Sequence, residues 1–329
     1  MPLASLRPIR NIALAATTIA LASLGLLASW VDSPQDLVLL RNALIFDLGS
    51  AGVYAWTPDR VPADYRSETL TAPDQIRQFA VEATSDTSAE DDFAVALSLA
   101  RALSRNRVSD GGPIQSSTLT ALARITRDGA GFCSDYTQVF NALSHAIGLP
   151  VREWGMSFDG YGGDGHAFNE VWDRKREKWL FLDSFFSFYV VDQQGHPLSA
   201  TEFRSALIGG TTDSLLVVPI DKAKFGFKTP AKAIEYYQRG ANRFFIIWGN
   251  DVLSYDENAA VRLFSRVSRA AEGAAAIATG AHPKLLIPSD FVDDHALAEL
   301  RQLRLLMGVL LLSTVVAITA MLILVMRQR

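Results

Sequence analysis

Uncharged apolar residues pile up at the two ends of the chain. Ile12 to Val31 gives 20 residues without a charge and Leu305 to Met326 gives 22, each about the length that spans a bilayer. Between them the pattern turns periodic. Residues 35–48 read as a short helix leaving the first span, followed by a link that holds Gly49, Gly52, Pro58 and Pro62. Thr87 with Glu90 three residues on, just before Phe93-Ala94-Val95-Ala96-Leu97, predicts a capping-box start for a helix running to about Arg105. Asp110-Gly111-Gly112-Pro113 breaks it, and Ser117 to Arg127 reads as a further helix ended by Asp128-Gly129. From Cys133, apolar Tyr136, Val139, Phe140, Leu143 and Ile147 follow the i, i+3, i+4, i+7 rule until Gly148 and Pro150. This predicts an amphipathic helix with Cys133 in its first turn, on the apolar side.

Strand-like runs come next at Val151 to Phe158, Gly165 to Asp173, Lys178 to Asp183 and Phe186 to Val191. The glycines at 160, 162, 163 and 165 have no helix after them, so they predict a mobile rim over a cleft rather than a phosphate loop. Helices beside a run of antiparallel strands give the α+β class. After Ser199, helices are expected at 200–207, 229–239 and 257–276 and a strand at Phe244 to Trp248. The expected division is a first span (1–31), a lead-in (32–87), a core (88–208), an elaboration (209–300), and a second span with a short tail (301–329).

Charge then sets a topology. All 35 acidic residues lie between Asp32 and Glu299, whereas six of the 31 basic ones lie outside that stretch, which leaves the intervening domain at net −10. A nucleic-acid binder would show a basic face instead. Arg7 and Arg10 precede the first span and Arg327 and Arg329 follow the second, with no acid in either tail. The positive-inside rule then predicts a two-pass protein of a bacterial inner membrane, both termini cytoplasmic, with residues ~32–300 on the periplasmic side. Arg7, Arg10 and Ala20-Leu21-Ala22 also allow the first span to be a cleaved signal peptide, which leaves the domain outside all the same. One cysteine excludes a disulfide scaffold, and with five histidines it builds no zinc spacing. No cofactor or metal is expected.

That lone Cys133 sits at a predicted helix start, after Gly131 and Phe132, where unpaired N–H groups and the dipole favour a thiolate and can donate to an oxyanion. Thiol acyl transfer also needs a base within reach and a carboxylate behind that base. His166 opens Gly165-His166-Ala167-Phe168-Asn169-Glu170-Val171-Trp172, and Asp183 closes Trp179-Leu180-Phe181-Leu182-Asp183. A hairpin centred between Arg174 and Lys175 sets His166 directly opposite Asp183, with Cβ atoms ~5 Å apart. Centred one residue further on, it makes them diagonal neighbours on one face. A register shift of odd parity puts them on opposite faces.

The order Gly131-Phe132-Cys133-Ser134-Asp135-Tyr136, then Gly148-Leu149-Pro150-Val151-Arg152, then His166-Ala167-Phe168-Asn169-Glu170-Val171, then Trp179-Leu180-Phe181-Leu182-Asp183 resembles the transglutaminase-like superfamily. The resemblance covers about residues 90–190. It implies a papain-like α+β core with Cys133 as nucleophile, His166 as base and Asp183 as the residue that orients the base. Animal members of the family add an upstream Trp that helps hold the oxyanion. No Trp occurs here between Trp56 and Trp154, so a second donor is unassigned. Asp135 reads as helix-dipole stabilisation, and Arg152, Glu153, Asn169 and Glu170 as support around the site or surface residues.

The resulting expectation is a membrane-anchored, extracytoplasmic cysteine enzyme that acts on peptide or glutamine-type amides of the cell envelope, by hydrolysis or by transfer. Its partners are a peptide or protein amide substrate and, through the two spans, the lipid bilayer, with no nucleic acid. The alternatives are a non-catalytic transglutaminase-like module that binds an envelope peptide, and a scaffold of an envelope assembly.

Overall fold

A computed structural model describes residues 7–29, 36–108, 111 and 116–328. Part of the predicted breaker at 110–113 and the junction at 30–35 lie outside the described residues. In chain order the elements begin with α1 (Arg7–Ala28), α2 (Asp36–Ile45), β1 (Phe46–Gly49), α3 (Asp74–Thr84), α4 (Asp92–Ser104), α5 (Thr118–Asp128) and α6 (Cys133–Ala146). There follow β2 (Val151–Ser157), β3 (Gly165–Asp173), β4 (Lys178–Leu182), β5 (Phe188–Val191), α7 (Ala200–Gly209), β6 (Leu216–Pro219), α8 (Pro230–Gly240) and β7 (Phe244–Ile247). The chain closes with α9 (Val252–Glu257), α10 (Ala259–Phe264), α11 (Arg269–Ala278), β8 (Leu285–Pro288) and α12 (Asp294–Gln328).

Two compact units result, one from the described residues of 1–44 with 160–163 and 294–329, the other from 45–159 and 164–293. In the first, α1 and the 35-residue α12 are long and apolar enough to cross a membrane, and most of their surface is exposed. Within their apolar stretches the buried positions are small except Leu27: Ala13, Ala16 and Ser23 on α1, and Ser313, Ala317 and Ala320 on α12. Small side chains let helix backbones approach closely where no water drives association. The tip of the glycine-rich loop belongs to this unit. Tyr161 is fully buried and its carbonyl accepts a hydrogen bond from Asn42 Nδ2 at 2.6 Å, in place of the expected mobile rim.

The second unit is α+β. Its six-stranded sheet runs β1-β8-β7-β2-β3-β4, antiparallel throughout except for the β1–β8 pair. One core lies where α3, α4, α5 and α6 cover Val151, Val171, Leu180 and Leu182. A second gathers Trp154, Phe168, Phe181, Phe188, Phe203, Tyr237 and Phe244. With both faces covered, β4 reads as a nearly continuous apolar run after Lys178, while β3 buries the polar His166, Asn169, Glu170 and Asp173. Residues after Gly209 supply β7 and β8 to the sheet, so the stretch beyond that point completes the core.

The local expectations that changed did so at caps and pairings. Asp91, not Thr87, caps α4, with its Oδ1 accepting from Ala94 N at 3.0 Å, while Thr87 bonds Ser98. A carboxylate next to the helix competes better for a first-turn N–H because the dipole adds to the bond. The helix expected over 257–276 is three. Asn258, at φ −62 and ψ 125, ends α9 and caps α10, and Ser268 caps α11. The helix expected over 35–48 stops at Ile45 because Phe46–Gly49 pairs with a strand about 240 residues away in sequence.

One of these junctions predicts a pH effect. Asp256 on α9 caps α5 by accepting Thr118 N at 2.7 Å, and burial raises its carboxyl to about 6. Because the folded value lies above the unfolded one, its stabilising contribution is complete below about pH 4 and is lost as pH rises through about 6. Asp256→Asn keeps the acceptor and is expected to stabilise the chain by about 1–3 kcal/mol at pH 7 and by nothing at pH 4. Melting temperatures at the two pH values check this.

Candidate active site

Helix α6 starts where it does because its first turn is held from outside. Asp135 Oδ2 accepts the Phe132 N–H at 2.8 Å and pairs with Arg124 Nη2 at 2.7 Å. Arg124 itself reaches the Ala130 carbonyl and Ser116 Oγ. Asp135 N and Tyr136 N donate to the Phe132 carbonyl. The N–H groups of Cys133 and Ser134 are left without a protein acceptor among the described residues, as helix starts leave them. Cys133 is partly buried at this N-terminus and packs against the core that holds Tyr136 and Phe140.

The β3–β4 hairpin takes the second of the two registers that keep His166 and Asp183 together. Asn169 pairs with Leu182 and Trp172 with Trp179, so Asp183 extends opposite Phe168 and lies diagonal to His166 on the same face. The turn closes through Glu177 in the left-handed region at φ 49. Gly165 brings β3 close to β2 just before the histidine. A Cβ there would stand 2.2 Å from the Met156 carbonyl oxygen, which makes glycine the only residue that fits without moving the backbone.

The three candidates meet in a row. His166 Nε2 contacts Asp183 Oδ2 at 2.8 Å, both side chains essentially without solvent exposure, and Cys133 lies near enough to the ring to act on its ionisation. Since Asp183 occupies Nε2, Nδ1 is the nitrogen left to exchange a proton with the sulfur. Burial pushes the imidazole down, but the charges of Asp183 and Cys133 and their hydrogen bonds more than offset it, and His166 is pushed up to about 10. His166 therefore favours its protonated form at neutral pH. Phe186 stacks on the ring at 4.7 Å between centroids, with Tyr236 and Tyr237 edge-on at 5.7 and 5.8 Å.

Of the remaining sequence candidates, Asp135, Arg152, Asn169 and Glu170 are buried and Glu153 is half-buried. Asn141 joins Glu153 and Asn169, donating to Glu153 Oε2 at 3.0 Å and accepting from Asn169 Nδ2 at 2.8 Å. Arg152 and Glu170 form a buried ion pair at 2.6 Å, with the guanidinium 4.3 Å from the Trp179 ring. Trp56 and Trp154, which bracket the gap where the family's upstream Trp was sought, also flank Arg152. Sequence reasoning missed Tyr237, whose hydroxyl donates to Asp183 Oδ2 at 2.7 Å. The only advance signal was a predicted helix over 229–239. Among the described residues, no group of His, Cys, Asp and Glu is placed to hold a metal ion.

A thiol at a helix start, backed by an imidazole and a buried carboxylate on an antiparallel sheet, defines the papain-like class of cysteine site. Residues 77–184 match the sequence model of the transglutaminase-like superfamily, so the chain carries a transglutaminase-like core. Among solved structures, the chain is similar to one described as "a Putative Cysteine Protease from Cytophaga hutchinsonii", at 18% identity and a TM-score of 0.28. The likeness covers 53% of this chain and 52% of that one, so it spans about half the length of either. No curated protein matches the sequence.

Proposed function

We propose that the chain is a thiol enzyme that forms an acyl-enzyme on Cys133 from peptide or glutamine-type amides, on the extracytoplasmic side of a membrane that anchors it through α1 and α12. The observation that carries this reading is the His166 ring, bonded at Nε2 to a fully buried carboxylate, with the chain's single cysteine near enough to act on its ionisation. The Cys133 thiolate attacks the amide carbonyl carbon. The oxygen takes up the electron pair and is met by the free N–H groups of the α6 start. As the C–N bond breaks, the imidazolium gives its Nδ1 proton to the departing amine, leaving a thioester. His166, now neutral, takes a proton from water or from a second amine, whose attack releases the acyl group and restores the thiolate. Two apolar terminal helices and the basic tails support the anchoring and its orientation.

Alkylation tests the reading on the full chain in detergent, since Cys133 is the single thiol. Iodoacetamide at pH 7 is expected to label Cys133 at least about 10-fold faster than a free cysteine, and His166→Ala is expected to cancel that advantage. Slow labelling that ignores the His166 substitution would sink the enzyme reading and favour a binding module.

A further inference from the structure

We propose that Tyr237 is a fourth member of the Cys133–His166–Asp183 row, a positioning residue that pins the carboxylate and sets how firmly His166 holds its proton. The inference rests on the thiol-enzyme reading above and adds to it a residue from α8, outside the segment that matches the transglutaminase-like superfamily.

The argument is an inventory of one carboxylate. Asp183 is fully buried and accepts four hydrogen bonds. Its Oδ1 takes the backbone N–H groups of Phe185 at 3.0 Å and Phe186 at 2.8 Å. Its Oδ2 takes His166 Nε2 at 2.8 Å and the Tyr237 hydroxyl at 2.7 Å. The two donors on Oδ2 share one oxygen, so the charge spent on the phenol is withheld from the imidazolium. A carboxylate with only one partner on that oxygen would hold the imidazolium more tightly and make it a poorer acid toward a departing amine. Tyr237 can serve as a permanent donor because burial, and then the charge of Asp183, raise its phenol well above the ordinary range, keeping it neutral.

Geometry also favours a fixed donor. The Tyr237 ring is fully buried and touches Phe168, Phe181, Phe188 and Phe203, so the hydroxyl has no room to swing away. The ionisable groups facing the imidazole are Cys133 from α6, Asp183 from the end of β4, and Tyr236 and Tyr237 from α8. Arg239 and Asp164 act further out, on Tyr236. A buried tyrosine that merely needed an acceptor would account for the bond but not for any change in the ionisation of His166.

The test reads the charge on His166 through the single thiol. Anionic iodoacetate gains over neutral iodoacetamide while an imidazolium stands beside the thiolate, and the ratio of the two alkylation rates falls as that proton leaves. In the full chain, Tyr237→Phe is expected to move the midpoint of this fall up by about half to one pH unit, the order of one hydrogen bond to a charged group. Incorporating 3-fluorotyrosine at 237, a stronger donor, is expected to move it down, and keeps the test available if Tyr237→Phe does not fold. A midpoint unmoved by either change, with only the melting temperature lowered, overturns the inference while leaving the thiol-enzyme reading intact. A wild-type ratio that is flat with pH and indifferent to His166→Ala overturns both.

Discussion

Replacing Cys133 with Ala is expected to abolish acyl transfer, lowering turnover of a peptide amide by roughly 10⁴- to 10⁶-fold while leaving the melting temperature within a few degrees of wild type. The chain has no second thiol to substitute, and Cys133 is only partly buried, so little packing is lost. Asp183→Asn is expected to cost about 10²- to 10⁴-fold through a different route. An amide keeps an oxygen for the Phe185 and Phe186 N–H groups, but its NH₂ then faces His166 Nε2, which must answer with a lone pair. The neutral ring is thereby driven to carry its proton on Nδ1, where it cannot take one from the thiol. Steady-state kinetics on a fluorogenic peptide amide, with melting curves alongside, check both. Turnover retained by Cys133→Ala would remove the assignment.

The second large effect concerns folding. Glu170→Gln is expected to destabilise the chain by about 3–5 kcal/mol, because it leaves a charged guanidinium without its counter-charge in a closed aromatic setting. Arg152 Nε donates to Glu170 Oε2 at 2.7 Å, and its Nη1 reaches the Tyr54 carbonyl. Three indoles, of Trp56, Trp154 and Trp179, lie around it. The other Glu170 oxygen accepts Ala200 N at 2.7 Å, at the first turn of α7, where an anion is favoured by the dipole. Glu170 is four residues from His166 on the same strand face, so the pair also braces the strand that carries the candidate base. Arg152→Met with Glu170→Met is expected to lose less than the two single changes added together. Urea unfolding of the four chains measures the difference.

Much of the site was legible because local rules reach it. The period of Tyr136, Val139, Phe140 and Leu143 placed Cys133 at a helix start. The polar run between two apolar strands confined the β3–β4 register to a few choices, and the parity of a strand then required His166 and Asp183 to share a face in two of them. The choice between direct and diagonal pairing was not legible. It depends on where the turn closes, and Glu177 adopts a left-handed conformation that no residue type there announces. The cap of α4 was misplaced, and those of α10 and α11 went unmarked, for a related reason. Asp91 is one of several polar residues before Phe93 that could cap α4, and pattern alone does not show which side chain takes a free N–H there or at Asn258 and Ser268.

By itself the amino-acid order determined the α+β class, two apolar ends long enough to cross a bilayer, and the three side chains whose chemistry can serve a thiol site, since all of these follow from periodicity, length and residue type. Only the tertiary structure decided that Tyr237 shares an oxygen of Asp183 with His166, that Arg152 and Glu170 pair inside an aromatic box, and that strands from beyond Gly209 complete the sheet. Those facts rest on contacts between segments tens to hundreds of residues apart. Such contacts are chosen by which buried polar groups can satisfy one another, a choice that local pattern does not encode.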